Sequence, residues 1–180
     1  MTQPLPPSPP PPAISLSAMF RLRPGPNRLF FGIRASLAMG LCAVAGWLAD
    51  NQGAGLLATL GAFAALYGSG RPYRHRAALI AIIGFGFVVC VTGGAYAATA
   101  ASIWPGVLLA AGIAFAAAFL CSALIVGPPG AYLFALACAA GTQMHGQAGH
   151  LGAVAAAVGA GAAVAWVLQV AGALWRPRWP

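Results

Sequence analysis

The residues of this chain that can do chemistry are nine arginines and very few other ionisable groups. The sequence has no lysine, three histidines and a single acidic residue, Asp50. The arginines form three clusters, and the middle one, Arg71 to Arg76, also contains Tyr73 and His75. Guanidinium groups bind carboxylates through paired hydrogen bonds, so this cluster is suited to gathering anions. A basic turn that only determines membrane topology has the same composition, and the sequence leaves both interpretations open.

Catalytic chemistry has little support in these residues. One aspartate cannot provide the paired acid and base that many hydrolases use. The four cysteines all lie inside apolar runs, without the spacing of metal ligands, which favours packing over metal binding. The sequence therefore predicts no enzyme, no metal site and no cofactor.

The composition places the chain in lipid. It is 61% hydrophobic and 6% charged, with a mean hydropathy of +0.84, whereas about a quarter of the residues of a soluble domain are charged. The net charge of +8 could indicate nucleic acid binding. The arginines flank apolar segments and do not line one polar face, which excludes that class.

Six apolar segments follow a proline-rich start. A transmembrane helix needs about 20 residues, so the fifth segment is short and either extends through His145 or is partly re-entrant. Six crossings place all three arginine clusters on one side, which the positive-inside rule makes cytoplasmic. The prediction is an all-α, polytopic, multi-pass protein of the bacterial inner membrane, with six transmembrane helices and both termini cytoplasmic. The segments are 29–48, 53–69, 77–98, 103–126, 131–144 and 151–175.

The sequence predicts three regions in the chain. Residues 1–27 are predicted to be a proline-rich disordered tail with a short interfacial helix, 28–176 a six-helix transmembrane domain, and 177–180 a cytoplasmic tail. Small residues recur every four positions in the third and sixth segments, as at Gly86, Cys90 and Gly94. This spacing predicts close helix packing, and an oligomer interface or a narrow pathway are the alternatives.

Two further features lie near the arginine side. Arg34 is about one turn inside the first segment, where a charge is costly and often functional, unless its long side chain reaches the interface. Residues 127–130, Gly-Pro-Pro-Gly, break the chain just before the fifth segment. A helix that starts after this break directs its positive N-terminal end toward the cytoplasm, as in the anion sites of transporters, although a plain tight turn has the same sequence.

On the opposite side, three titratable residues are candidates for proton exchange. They are Asp50, His145 and His150, and a proton-coupled carrier needs such groups. As solvated loop residues they need no function.

Three stretches resemble a known family. They are Gly32–Ala38, with its arginine near the start of the first helix; Tyr73–Ala77, which leads into the third; and Gly127–Ala131, which opens the fifth. In this order and spacing, across about residues 28–175, the chain resembles the membrane half of the fusaric acid resistance or aromatic acid exporter (FUSC-like) proteins. The resemblance implies an inner-membrane protein that exports aromatic or other weak organic acids, using the proton gradient.

We therefore predict that small organic anions bind at Arg34, Tyr73, Arg74, Arg76 and Gly130. Larger members of the family combine two membrane halves with a soluble domain, whereas this chain has one half. A homodimer or a partner membrane subunit would restore two halves, and membrane lipids are the surrounding partners. The alternatives are a non-transporting assembly or accessory subunit, and half of a major facilitator carrier.

Overall fold

A computed structural model describes residues 28–67, 73–100, 102–123, 130–144 and 150–175 of the chain. All regular structure within these ranges is helical, as predicted from the sequence. The predicted tail, its interfacial helix, residues 176–180 and His145 lie outside the described residues. The helices are α1 (Arg28–Leu48), α2 (Gln52–Ala62), a 3₁₀ turn (Phe63–Leu66), α3 (Tyr73–Ala97), α4 (Trp104–Ala123), α5 (Tyr132–Thr142) and α6 (Leu151–Trp175).

Four of these helices, α1, α3, α4 and α6, are long and apolar enough to cross a membrane. The 21 residues of α1 extend about 31 Å at 1.5 Å per residue, which matches the thickness of a bilayer's hydrocarbon core. No residue of α4 is buried by the rest of the described chain, although the helix is almost wholly apolar. By length and composition these helices suggest a membrane protein, because lipid, unlike water, stabilises such apolar surfaces.

The other two helices are shorter than a membrane span. α2 and α5 each have 11 residues, or about 16 Å. The prediction of one continuous segment over 53–69 was only partly right. The α-helix ends at Ala62 and tightens into the 3₁₀ turn, and Tyr67 then adopts an extended backbone conformation (φ −100°, ψ 159°). The predicted shortness of the fifth segment is confirmed, since α5 ends at Thr142.

Side-chain contacts bring three helix ends together. The Arg76 guanidinium, at the start of α3, lies over the ring of Phe31 at the start of α1. It also donates a hydrogen bond to Gln169, near the end of α6. The starts of α1 and α3 and the end of α6 therefore share one end of the bundle, which we call the arginine end. The turn between α1 and α2, at Asp50 and Asn51, lies at the other end.

Glycines bring the backbones of neighbouring helices into close contact. Gly61 of α2 lies against the Val158 carbonyl of α6, and Gly161 of α6 lies against the Ala58 carbonyl of α2. Gly94 of α3 and Gly141 of α5 meet the other helix in the same way. Lipid supplies no hydrophobic drive for helix association, so close contact between backbones must supply the attraction. The prediction of small-residue packing in the third and sixth segments is confirmed.

We expect Gly161→Ala to destabilise the protein, because the new methyl group would overlap the Ala58 carbonyl and force α2 away from α6. Such overpacking costs about 1–3 kcal/mol. Thermal unfolding in detergent measures the loss. Gly112→Ala in α4 is the matched control, since a Cβ there meets nothing within 4 Å. An unchanged unfolding temperature for Gly161→Ala would show that the backbone contact is not needed.

Candidate functional site

The 3₁₀ turn after α2 is the central element of the candidate site. Ala64, Ala65 and Tyr67 have no exposed surface, so the turn lies inside the bundle. The last carbonyls of a helix have no partner within that helix and need a donor from elsewhere. A buried helix end of this kind therefore requires polar side chains from its neighbours.

Gln169 of α6 supplies that donor. Its side chain is fully buried, and its Nε2 donates a hydrogen bond of 2.7 Å to the Ala65 carbonyl. Its Oε1 accepts a hydrogen bond from Nη2 of Arg76. The amide thus bridges the 3₁₀ turn and α3, and a buried amide is stable only when it is bonded in this way.

The Arg76 guanidinium is held from two sides. Besides the bond to Gln169, its central carbon lies 5.5 Å from the centroid of the Phe31 ring. A guanidinium over an aromatic face is attracted by the electrons of the ring. Both contacts orient the guanidinium at the arginine end of the bundle.

Trp166 adds a second connection between α6 and α3. It lies one turn before Gln169, and its indole Nε1 donates a hydrogen bond of 3.0 Å to the Ala77 carbonyl, directly after Arg76 in the chain. The two α6 side chains therefore hold the first turn of α3 at neighbouring positions. We call Arg76, Gln169, Trp166, Phe31 and the Ala65 carbonyl the arginine cluster.

Tyr67, Phe87 and Phe134 form an aromatic cluster. It adjoins the arginine cluster, because Tyr67 directly follows the 3₁₀ turn that contains Ala65. The Phe87 and Phe134 rings stack with centroids 4.8 Å apart, and Tyr67 contacts both at 6.2 and 6.0 Å. The Tyr67 hydroxyl donates a hydrogen bond of 2.6 Å to the Gly130 carbonyl. Gly130 has φ +67°, a conformation that favours glycine, so the turn into α5 depends on this residue. Tyr67 thereby connects the 3₁₀ turn to the start of α5.

The predicted anion-binding residues fall only partly within these clusters. Arg76 is central to the arginine cluster, and Gly130 accepts the bond from Tyr67. Arg34 is half-buried on α1, and no hydrogen bond of its guanidinium connects it to either cluster among the described residues. Tyr73 and Arg74 belong to the first turn of α3, but their side chains lie outside the described part.

Two of the predicted proton-coupling residues, Asp50 and His150, lie at the opposite end of the bundle, and His145 lies outside the described residues. Asp50 is exposed and has φ +54°, which aspartate tolerates in a turn. Asn51 follows it and caps α2 by accepting a hydrogen bond from the Ala54 backbone N–H at 3.1 Å. His150, just before α6, is also exposed. Proton coupling at these residues stays a prediction.

The sequence interpretation missed Gln169, Trp166, Phe31 and Tyr67. A signal for Gln169 was present, because it is the one amide in the otherwise apolar 25-residue α6. Polar residues within a membrane segment are expensive and often functional. The aromatic residues carried no such signal, since apolar segments contain many rings that face lipid.

Chemically, the arginine cluster offers an oriented positive charge beside an aromatic face. A carboxylate accepts hydrogen bonds from a guanidinium more strongly than a neutral amide oxygen does. An anion that reached Arg76 could therefore replace Gln169 as its acceptor. A ring attached to that carboxylate would find an aromatic neighbour in Phe31.

Gln169→Leu should cost about 1–3 kcal/mol of stability, because the buried Ala65 carbonyl loses its donor. Unfolding in detergent, followed by the accessibility of buried cysteines, measures the loss. Gln143→Leu replaces an exposed glutamine and is expected to leave stability nearly unchanged. Equal effects of the two variants would contradict a bridging role for Gln169.

No protein-family model, curated protein or solved structure matches this chain. The resemblance to the FUSC-like exporters therefore stays a prediction from three short motifs.

Proposed function

We propose that this protein is a membrane carrier that exports small organic anions, with aromatic acids as the preferred class. The observation that carries the proposal is the Arg76 guanidinium, which Gln169 and Phe31 orient at the arginine end of the bundle. A charge held within an apolar helical bundle is expensive, and such residues commonly mark substrate pathways. The resemblance to the FUSC-like proteins gives the same class of substrate.

The orientation in the membrane follows from the arginines. Arg28, Arg34 and Arg76 belong to helix starts at one end of the bundle, and the positive-inside rule assigns that end to the cytoplasm. Six crossings of a bacterial inner membrane, with both termini cytoplasmic, complete the proposal. α2 together with its 3₁₀ turn extends about 24 Å, which brings it near the thickness of the hydrocarbon core.

Anion capture would begin at the cytoplasmic mouth. A carboxylate bonds to Arg76 in place of the Gln169 amide oxygen, and its ring lies against Phe31. This exchange removes one of the two bonds that Gln169 makes, and so weakens the link between α3 and the 3₁₀ turn. Substrate binding is thereby coupled to the packing of three helices.

Proton exchange and assembly complete the carrier. Asp50, His145 and His150 are the proposed proton-exchanging groups at the outer end. A homodimer, or a complex with a partner membrane subunit, supplies the second membrane half that the resemblance implies.

The second candidate is a non-transporting assembly or accessory subunit. It is favoured by the position of two clefts, of about 470 and 420 Å³, which both open on the surface of the bundle. The smaller is lined by α1 residues, including Ser36 and Gly40, and a partner helix could occupy it in place of lipid.

Efflux of radiolabelled benzoate from proteoliposomes tests the carrier. Arg76→Gln removes the charge and should lower the rate at least about tenfold, the effect of losing one charge-assisted hydrogen bond of about 1.5–3 kcal/mol. Arg178→Gln, which removes an arginine beyond α6, is the matched control and should transport normally. If the wild-type protein shows no efflux of benzoate or other weak organic acids, the accessory role replaces the carrier.

Cysteine labelling tests the six-span orientation. In a chain with Cys42, Cys90, Cys121 and Cys138 replaced by alanine, we introduce Gly53→Cys, Ser102→Cys or His75→Cys, all at exposed positions. A membrane-impermeant maleimide should label the first two in intact spheroplasts and the third only in inverted vesicles. Labelling of Gly53→Cys and Ser102→Cys from opposite sides would exclude this topology.

A further inference from the structure

The six α-helices of the described residues form two triplets with the same order of lengths. α1, α2 and α3 are long, short and long, and α4, α5 and α6 repeat that order. The short helices both have 11 residues, and both have a glycine at the tenth position, Gly61 and Gly141. The contacts that the two short helices make agree as well.

Each short helix packs against the last helix of the other triplet through the same atoms. A Cβ on Gly61 of α2 would meet the Val158 carbonyl and the Ala162 amide of α6. A Cβ on Gly141 of α5 would meet the Val91 carbonyl and the Ala95 amide of α3. In both cases the two atoms lie four residues apart along the long helix.

The reverse contacts also agree. Gly161 of α6 lies against the carbonyl of Ala58, three residues before Gly61. Gly94 of α3 lies against the carbonyl of Cys138, three residues before Gly141. The long-helix segments 91–95 and 158–162 both read Val-x-x-Gly-Ala, which gives the repeated geometry a sequence counterpart.

The triplets run in opposite directions. α3 and α6 are antiparallel, because Gly84 packs beside Ala162 while the earlier Arg76 bonds to the later Gln169. A rotation that superimposes α3 on α6 must therefore turn one triplet upside down. This is the geometry of the inverted repeats that line the pathways of many secondary transporters.

The two equivalent ends are packed unequally. After Gly61, Ala62 and Ala64 are completely buried at the arginine end. Their equivalents after Gly141, Thr142 and Met144, are only half-buried at the opposite end. The arginine end also has the Gln169 bridge and the bond from Tyr67 to Gly130.

We propose that the chain is a pair of interlocked inverted repeats that adopts two conformational states, the two-state pair. This structure is the state in which the arginine end is closed. In the other state, the arginine end opens as the Thr142 end closes. The Gln169 bridge and the Tyr67 bond form the latch. The glycine-to-carbonyl contacts involve no interdigitated side chains on the glycine side, so each short helix can turn on its partner.

This inference takes from the proposed function only the orientation of the bundle, and it needs no substrate. Transport of benzoate and the two-state motion can therefore fail separately. The test uses the chain in which all four cysteines are replaced by alanine. One of these replacements, Cys138→Ala, gives α5 the residue that α2 has at the equivalent position, Ala58.

The test measures how fast a membrane-impermeant maleimide labels Ala62→Cys in inverted vesicles. Tyr67→Phe removes the bond to Gly130 but keeps the aromatic contacts, so it should raise the labelling rate about fivefold, the change that corresponds to one hydrogen bond. Gln169→Leu should raise the rate at least as much. Tyr96→Phe, at an exposed tyrosine on α3, should have no effect.

Coupling between the ends is tested with a second cysteine, Thr142→Cys, in the same chain. A bulky impermeant maleimide is attached to Thr142→Cys from the outer side, before inverted vesicles are prepared, and should hold that end open. In the chain with Tyr67→Phe, it should then return the labelling rate of Ala62→Cys to the rate measured without Tyr67→Phe. The same reagent on Gln143→Cys, an exposed neighbour, should not.

An unchanged labelling rate in Tyr67→Phe would overturn the latch. If Gln169→Leu does not fold, Tyr67→Phe still provides the test. A raised rate that the modified Thr142→Cys leaves unaffected would show that the ends move independently. That result would overturn the two-state pair.

Discussion

The close approach of helix backbones at glycines is the constraint on which the rest of this structure depends. Water drives apolar surfaces together, but lipid does not, so helices in a membrane hold each other through contact and hydrogen bonds. Gly61, Gly94, Gly141 and Gly161 each place one backbone directly against another. These contacts bring α2 onto α6 and α5 onto α3, and they thereby place the buried 3₁₀ turn next to Gln169.

The polar groups inside the bundle follow from that placement. Because α2 ends in the interior, the Ala65 carbonyl needs a donor, and Gln169 provides it while also holding Arg76. The cost of an unpaired polar group in an apolar medium explains why these few residues bond to each other. The proposed anion site and the proposed latch share the bond between Arg76 and Gln169, so capture of an anion and opening of the arginine end are linked physically.

Several features were predictable from local sequence. Apart from the end of α2, the helix boundaries follow from the apolar segments and the Gly, Pro and Asp residues between them, and the short fifth helix was visible in its length. The 3₁₀ turn was not predicted, because residues 63–66 are as apolar as the helix before them and nothing local marks the change. Arg76 was a candidate from its charge, whereas its partners Phe31 and Gln169 are 45 and 93 residues away in the chain. Periodicity carries no information about such distant pairs.

The sequence by itself determined that the chain is a helical membrane protein with its arginines between apolar segments, because hydropathy and charge are sums over neighbouring residues. The tertiary structure decided which small residues become backbone contacts. Gly112 and Gly161 look alike in sequence, yet a Cβ added to Gly112 would meet nothing within 4 Å, whereas Gly161 lies against the Ala58 carbonyl. It also decided that Gln169 bonds to Arg76, since that pairing depends on how α6 crosses α3 and the 3₁₀ turn in space.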